Sequence, residues 1–450
     1  MWKLIEAAWI VTGTTRDDTV LVFRNGAVAF DDAGQILALG PRDVVLSAAR
    51  SWNSPSPAEC VSLDRHILMP GLVNAHTHAA MTLLRGHGDD QALEDWLKNS
   101  IWPAEAELVD PEFVRVGTLL AAAEMLAGGT TTCADMYFFP EAAGRAFVRM
   151  GMRAQLAMPV LDFPTRYASD ADSYLRANLD ARDALADEPL LSWALGPHAP
   201  YTVSDATYTR VLAFASELDI PIHTHLQETA DEVATSRVQH GVTPAARLAG
   251  LGVASAGLVA AHGVHLETAD RSLLAQAGAS VIHCPSSNLK LASGLADVAA
   301  LLQAGVNVGL GTDGAASNNR LDLFEEMRLA ALLAKAVSRN AASVPAPQAF
   351  LLATRNGARA LRLDDRIGTL EVGKRADLVA VRIDAPAATP MFDPVSHLVY
   401  VAGRADVTHV WVDGRARVTD GRLAEAPRVA LAECAGPIAT FADRVRALRT

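Results

Sequence analysis

Two histidines, His76 and His78 in the stretch LVNAHTH, stand at the polar end of an otherwise apolar run. Side chains at i and i+2 of a strand point to one face, so both imidazoles would look in the same direction. Three other runs end in the same way. HTHLQE supplies His225 with Glu228 after it, AAHGVH supplies His262, and GTDG supplies Asp313 between a threonine and a glycine. His76, His78, His225 and Asp313 form a nitrogen and oxygen donor set suited to zinc or another borderline divalent ion. Neutral histidine and ionised aspartate need no unusual pKa to bind it. With water as a further ligand, such a centre keeps the open position that a catalytic metal requires. An HxH pair alone is more often core or surface than ligand, and mutual hydrogen bonding is the bland alternative. The recurrence of donors at the ends of separate strands favours the metal.

From about Ile67 to Gly314, short apolar runs alternate with longer Ala/Leu-rich stretches of helical spacing, the pattern of βα units and a parallel sheet. The candidate strands are ILMPGLVNAHTH, TTTCADMYF, RAQLAMPVLD, LSWALGPHAP, IPIHTHLQE, GLVAAHGVH, SVIHCPSSN and VNVGLGTDG. Eight repeats in about 250 residues match a (β/α)8 barrel, whose reactive groups sit at the C-terminal ends of the strands. An open doubly wound sheet would need a Gly-rich phosphate turn after its first strand, and that turn is missing. The flanks read differently. TVLVFRNGAVAFDDAGQILALG is broken by Asn-Gly and Ala-Gly in the manner of hairpins, and VTHVWVDGRARVTDGRLA repeats this character in the tail. The expected architecture is therefore α/β: a barrel over residues 63–365 beside a small discontinuous β-sandwich built from 1–62 and 366–450.

The 450 residues carry a formal net charge of −12, half of them are hydrophobic, and no Lys/Arg cluster occurs. These features argue against nucleic acid or an anionic membrane as the main partner, the acidity serving solubility. Cys60, Cys133, Cys284 and Cys434 form no CxxC pair, which fits a reducing cytoplasm. The opening MWKLIEAAWIVTGTTRDD has Glu6 within its apolar part and does not read as a signal peptide. The longest uncharged run, Leu248 to Leu266, is too interrupted by glycine and histidine for a membrane span. A homo-oligomer is compatible with helical faces such as DLFEEMRLAALLAKAV, whose apolar stripe is sufficiently explained by the core.

Together MPGLVNAHTHAAMTLLRG, WLKNSIWPAE, GGTTTCADMYF, GPHAPYTVS, HTHLQET, AHGVHL, HCPSSNLKL, GTDGAASNN and GTLEVGKRADLVAV resemble the amidohydrolase superfamily, and within it the methylthioadenosine/S-adenosylhomocysteine deaminase group, over essentially the whole chain. The resemblance implies a zinc-dependent hydrolytic deaminase acting on an adenosine-type nucleoside, with Fe2+ or Mn2+ as alternative ions. Two-metal relatives use a carboxylated lysine from the fourth strand; here no lysine lies between Lys98 and Lys290, so one ion per chain is expected. The resemblance also assigns roles. Asp313 would ligate the ion and take a proton from water, His262 would hydrogen-bond that water, and Glu228 would protonate the purine ring. Glu105 would hold ribose hydroxyls and His198 would contact substrate. The bland alternatives are a helix cap for Glu228 and a structural strand-end role for His198, and the neighbouring donor set favours the functional readings. Trp96 and Trp102 are candidate pocket walls or core, Ser317 a candidate base contact or turn residue, and Arg166 falls in a segment that departs from the group's pattern. His223 is assigned to packing or hydrogen bonding and Cys284 to burial. Competing readings are a hydrolase of s-triazines, guanine or related free heterocycles, and a non-catalytic zinc-binding barrel. A cyclic-amide hydrolase is the outside case.

Overall fold

The computed structural model describes residues 1–16, 19–52 and 56–448. Eight parallel strands run from β1 to β8 in chain order: β1 (Leu72–Thr77), β2 (Thr130–Asp135), β3 (Arg153–Val160), β4 (Leu191–Pro197), β5 (Ile222–Leu226), β6 (Leu258–His262), β7 (Ser280–His283) and β8 (Asn307–Leu310). Each candidate strand of the barrel is present. They are almost wholly buried, as expected for parallel strands covered on both faces. Closure between β8 and β1 combines side-chain and backbone bonds. Asn74 Oδ1 accepts from the Thr312 N–H at 3.0 Å, Asn74 Nδ2 donates to Thr312 Oγ1 at 2.7 Å, and the Asp313 N–H donates to the His76 carbonyl at 3.0 Å. The same contacts that close the barrel therefore set Asp313 beside His76.

Segments from both ends of the chain join in one eight-stranded mixed sheet. Its order is Arg422–Leu423, Arg415–Thr419, Val407–Val412, Leu378–Arg382, Glu59–Pro70, Trp2–Arg16, Thr19–Asp31, Ile36–Pro41. Only Trp2–Arg16 with Glu59–Pro70 is parallel; the other ladders are antiparallel. The sheet shares a core of Ile5, Ile10, Phe30, Leu68, Leu378 and Trp411. Two hairpins follow the tail motifs: Asp413–Gly414 and Asp420–Gly421 all have positive φ, as a type I′ turn needs. Asn25–Gly26 behaves differently from the expectation. It lies inside Thr19–Asp31, with Asn25 at φ 47°, and Gly26 is required because a Cβ there would come 2.8 Å from Ile10. The expected turn at Ala33–Gly34 does form, closed by the Gly34 N–H on the Asp31 carbonyl.

The segment ILMPGLVNAHTH is divided between the two units. Ile67 to Pro70 pairs with Leu378–Arg382 in the outer sheet, Gly71 makes the corner, and the barrel strand begins at Leu72. A Cβ at Gly71 would fall 1.9 Å from Thr131 Oγ1, so only glycine passes. The tail ends in helices Glu425–Ala432 and Ala435–Ala447, which pack on barrel helices rather than extending the sheet. Barrel and sheet are also joined by a buried ion network. Arg153, at the start of β3 and 2% exposed, bonds Asp377 and Asp413 of the outer sheet, and Arg375 bonds Asp413 from the other side. Among the described residues, no helix is long and apolar enough to cross a membrane.

Candidate metal and catalytic site

The donors expected from the sequence converge at the C-terminal mouth of the barrel. His76 comes from β1, His78 follows it, His225 comes from β5, His262 ends β6, and Asp313 lies just past β8. Nε2 of His76 and of His78 lie 3.5 and 3.2 Å from Asp313 Oδ1, and Nε2 of His225 is 3.3 Å from that of His78. Ligand atoms of His76, His78 and His225 lie within 4.8 Å of one another, and so do those of His76, His262 and Asp313.

The hydrogen bonds behind these rings settle which nitrogen carries the proton. Nδ1 of His78 faces the Met136 carbonyl, and Nδ1 of His225 faces the His198 carbonyl at 2.7 Å. A carbonyl only accepts, so both Nδ1 atoms are protonated and, in the neutral rings, both Nε2 atoms present lone pairs. Two such lone pairs 3.3 Å apart repel unless a cation or proton lies between them. Nε2 of His76 is buried with no hydrogen-bond partner among the described residues, while its Nδ1 meets Nε2 of His223 at 2.9 Å. The donor set therefore fits a borderline divalent ion. His223 thus hydrogen-bonds His76, one of the two roles expected of it.

Electrostatics agree. Burial holds His225 and His223 well below the usual imidazole range and brings His76 down to about 4, so these rings are neutral. His78 is also penalised by burial, but its bond to Asp313 and that carboxylate's charge raise it to about 9. Burial pushes Asp313 upward, and the close approach of the His76 and His78 rings outweighs this and holds it well below the carboxylate range. Asp313 is thus ionised, with His78 as its charged neighbour. Its other oxygen, Oδ2, accepts from Ser287 Oγ and Ser317 Oγ, each at 2.6 Å. Ser317, a candidate base contact in the sequence, directs its hydroxyl at Asp313.

Glu228 lies two residues beyond β5 and is 5% exposed; burial raises its pKa. Its Oε1 accepts from Ser293 Oγ at 3.1 Å, and Oε2 is 3.6 Å from Nε2 of His262. It does not cap the following helix: Thr229 does, accepting from the Glu232 N–H. His262 is oriented by Asn288, whose Oδ1 accepts from Nδ1 at 2.9 Å. Gln227, His262 and Asp313 have φ of 49°, 72° and 60°. Left-handed backbone at non-glycine residues costs about 1–3 kcal/mol each and gathers at functional sites. Such strain is invisible in composition.

Glu105 projects from the helix Trp102–Leu108 and accepts from Tyr137 Oη at 2.7 Å; burial raises it to about 7. His198 follows β4, with Nδ1 2.9 Å from Thr202 Oγ1, and burial lowers it to about 3. His78, His225, His262, Asp313, Glu228, Glu105 and His198 line one cavity of about 830 Å³, along with Trp96, Trp102 and Leu161. A second cavity of about 950 Å³ adjoins it, sharing Trp102, Glu105, Phe138, Phe163 and Thr165 and adding Phe139 and Tyr167. Arg166 borders this second cavity, exposed, with Nη1 on the Glu107 carbonyl at 2.8 Å. Cys284 is buried. Sequence reasoning singled out neither Ser287, Asn288 and Ser293 nor Tyr137 for a role, because hydroxyl and amide residues in loops look like ordinary turn chemistry.

Comparison with known proteins places these features in context. Residues 67–417 match the amidohydrolase family. The chain is 46% identical over 403 residues to a 5-methylthioadenosine/S-adenosylhomocysteine deaminase of Teredinibacter turnerae, covering 90% of this chain and 91% of that one. It is 43% identical to the like-named protein of Halobacterium salinarum, covering 90% of each. Among solved structures it is similar to an adenosine deaminase from Xanthomonas campestris with bound zinc, at TM-score 0.93 and 45% identity over 99% of this chain and 98% of that one. It also resembles the zinc complex of atrazine chlorohydrolase from Arthrobacter aurescens, at TM-score 0.86 and 25% identity over 98% of this chain and 100% of that one.

Proposed function

The chain belongs to the amidohydrolase family, and we propose that it is a zinc-dependent deaminase of adenosine-type nucleosides, releasing ammonia and the inosine derivative. The substrates proposed are 5′-methylthioadenosine, S-adenosylhomocysteine, 5′-deoxyadenosine or adenosine. The reading rests above all on one observation: Glu228, a buried carboxylate with a raised pKa, faces the same cavity as His78, His225 and Asp313, with His76 set beside them. Zinc held by those four residues, with Fe2+ or Mn2+ as substitutes, would supply the polarisation that lowers the pKa of water to about 7.

The remaining steps belong to the protein. Asp313 takes a proton from the attacking water, and His262, fixed by Asn288, hydrogen-bonds the same oxygen. Glu228, whose pKa burial raises, donates in its protonated form to the ring nitrogen next to the reacting carbon, which makes that carbon electrophilic. As the carbon–nitrogen bond of the tetrahedral adduct breaks, the proton taken up by Asp313 passes to the amine, which leaves as ammonia, and Glu228 recovers a proton from the adduct's hydroxyl as the carbonyl forms. Glu105 accepts from the ribose hydroxyls and His198 contacts the substrate. Names of relatives support the nucleoside: they are deaminases of methylthioadenosine, S-adenosylhomocysteine or adenosine.

A second reading, a free heterocycle such as an s-triazine or guanine, draws on the likeness to atrazine chlorohydrolase. The zinc-loaded protein should consume at least one of the four nucleosides, read as loss of adenine absorbance with matching ammonia. No turnover of any of them, with turnover of a triazine or guanine, would transfer the assignment.

A further inference from the structure

Glu232 lies in the first turn of the helix Ala230–His240, whose cap is Thr229. A glutamate at this third helical position commonly reaches back to the cap residue's own N–H. Here it reaches further. One carboxylate oxygen accepts from the Gln227 N–H at 3.0 Å and the other from the Glu228 N–H at 2.9 Å. These are the residues that carry the chain out of β5 into the cavity, and Gln227 adopts φ 49° to do so.

The Gln227 side chain completes the restraint. Its Nε2 donates to the His265 carbonyl at 2.8 Å and to Asp270 Oδ2 at 3.1 Å, and its Oε1 accepts from the Ala245 N–H at 2.9 Å. From the opposite side Ser293 Oγ holds the Glu228 carboxylate. Glu232 is only 8% exposed, and burial raises its carboxyl to about 7 against the pull of the two N–H bonds. A simple helix cap would require neither that burial nor a reach past Thr229.

We propose that Glu232 is a positioning residue for deamination: by holding the N–H groups of Gln227 and Glu228 it fixes the left-handed turn that aims the Glu228 carboxylate at the substrate. The proposal rests on the reading of Glu228 as the proton donor. Glu232 itself touches neither substrate nor metal ligands. In Glu232→Gln the volume is kept, but one acceptor oxygen becomes an N–H donor facing a backbone N–H donor, so one of the two bonds is replaced by repulsion.

The test is a double-mutant cycle in the full-length, zinc-loaded protein, with Glu232→Gln, Glu228→Gln and both together, assayed on the nucleoside turned over fastest. A displacement of about 1 Å costs on the order of 10²-fold in rate, so Glu232→Gln should lower kcat by roughly 10- to 100-fold. KM should stay within about twofold and the zinc content should be unchanged. In the Glu228→Gln background Glu232→Gln should add no further loss, and Glu232→Asp, which keeps both acceptors, should recover part of kcat. An undiminished loss in that background, or a loss carried by KM or zinc content, overturns the proposal. Failure of both Glu232 variants to fold would assign the residue to structure alone and overturn it too. If Glu228→Gln by itself left turnover intact, the proton-donor reading would be the one to fall.

Discussion

Replacing Ser317 with alanine separates two roles for a hydroxyl next to the metal donors. Ser317 and Ser287 each donate to Asp313 Oδ2 at 2.6 Å, behind the oxygen that faces the histidines. A hydrogen bond to a charged group contributes about 1.5–3 kcal/mol. At 1.36 kcal/mol per decade, full loss of one such bond corresponds to roughly 10- to 150-fold. Because Ser287 remains and Ser317 is a small side chain, the effect belongs in the lower part of that range. Ser317→Ala should therefore weaken zinc binding by about 10- to 30-fold, in keeping with the 10- to 100-fold common for groups that orient metal ligands. Adding Ser287→Ala should lose more than the sum of the single effects, since Oδ2 would then be buried without a partner. The assay is competition for zinc against a chelator of known affinity, with KM measured at saturating metal. A hydroxyl that contacts the purine base would instead raise KM and leave zinc affinity alone. That outcome would refute the assignment of Ser317 to Asp313.

Glu228→Gln keeps the Ser293 contact but removes the transferable proton, so kcat should fall by roughly 10²–10⁴ with zinc content unchanged, measured as ammonia release. Burial raises the pKa of Glu228, and the protonated form is the active one; the rate should therefore fall as pH climbs through that raised pKa, and Glu228→Gln should abolish this alkaline limb of the pH profile. Glu105→Gln should raise KM for nucleosides and leave turnover of a free purine base unaffected, and equal effects on both would remove the ribose from its role. Chelation should abolish activity while the thermal unfolding transition persists at a lower temperature, and restored zinc should return both; unfolding on metal removal would point to a structural ion.

The barrel is readable from sequence because parallel strands buried on both faces must be continuous apolar runs, and because chemistry at their ends interrupts those runs with His, Asp and Glu. His76, His78, His225 and Asp313 stand out for that reason. Ser287, Asn288 and Ser293 do not, since a residue that serves another side chain carries no periodic signal. The position of Asn25–Gly26 inside a strand was equally hidden: the left-handed conformation that Asn-Gly permits serves a kink as well as a turn, and only the pairing with Trp2–Arg16 tells them apart. Nor does the segment around Pro70 announce where the outer sheet yields to the barrel. That corner is decided by Thr131, distant in the chain, which leaves no room for a side chain at Gly71. The tail helices Glu425–Ala432 and Ala435–Ala447 lie against the barrel because their apolar stripes find barrel helices there, a choice no local pattern dictates.

The guanidinium of Arg153 is balanced by carboxylates that the chain contributes only after the last barrel strand is complete. Removing one member of a buried charged set costs about 3–5 kcal/mol, a large share of the stability of an ordinary domain. A fragment trimmed to the catalytic half would strand that positive charge in an apolar interior. The peripheral strands are therefore tied to the centre, and the barrel keeps its charge balance only in their company.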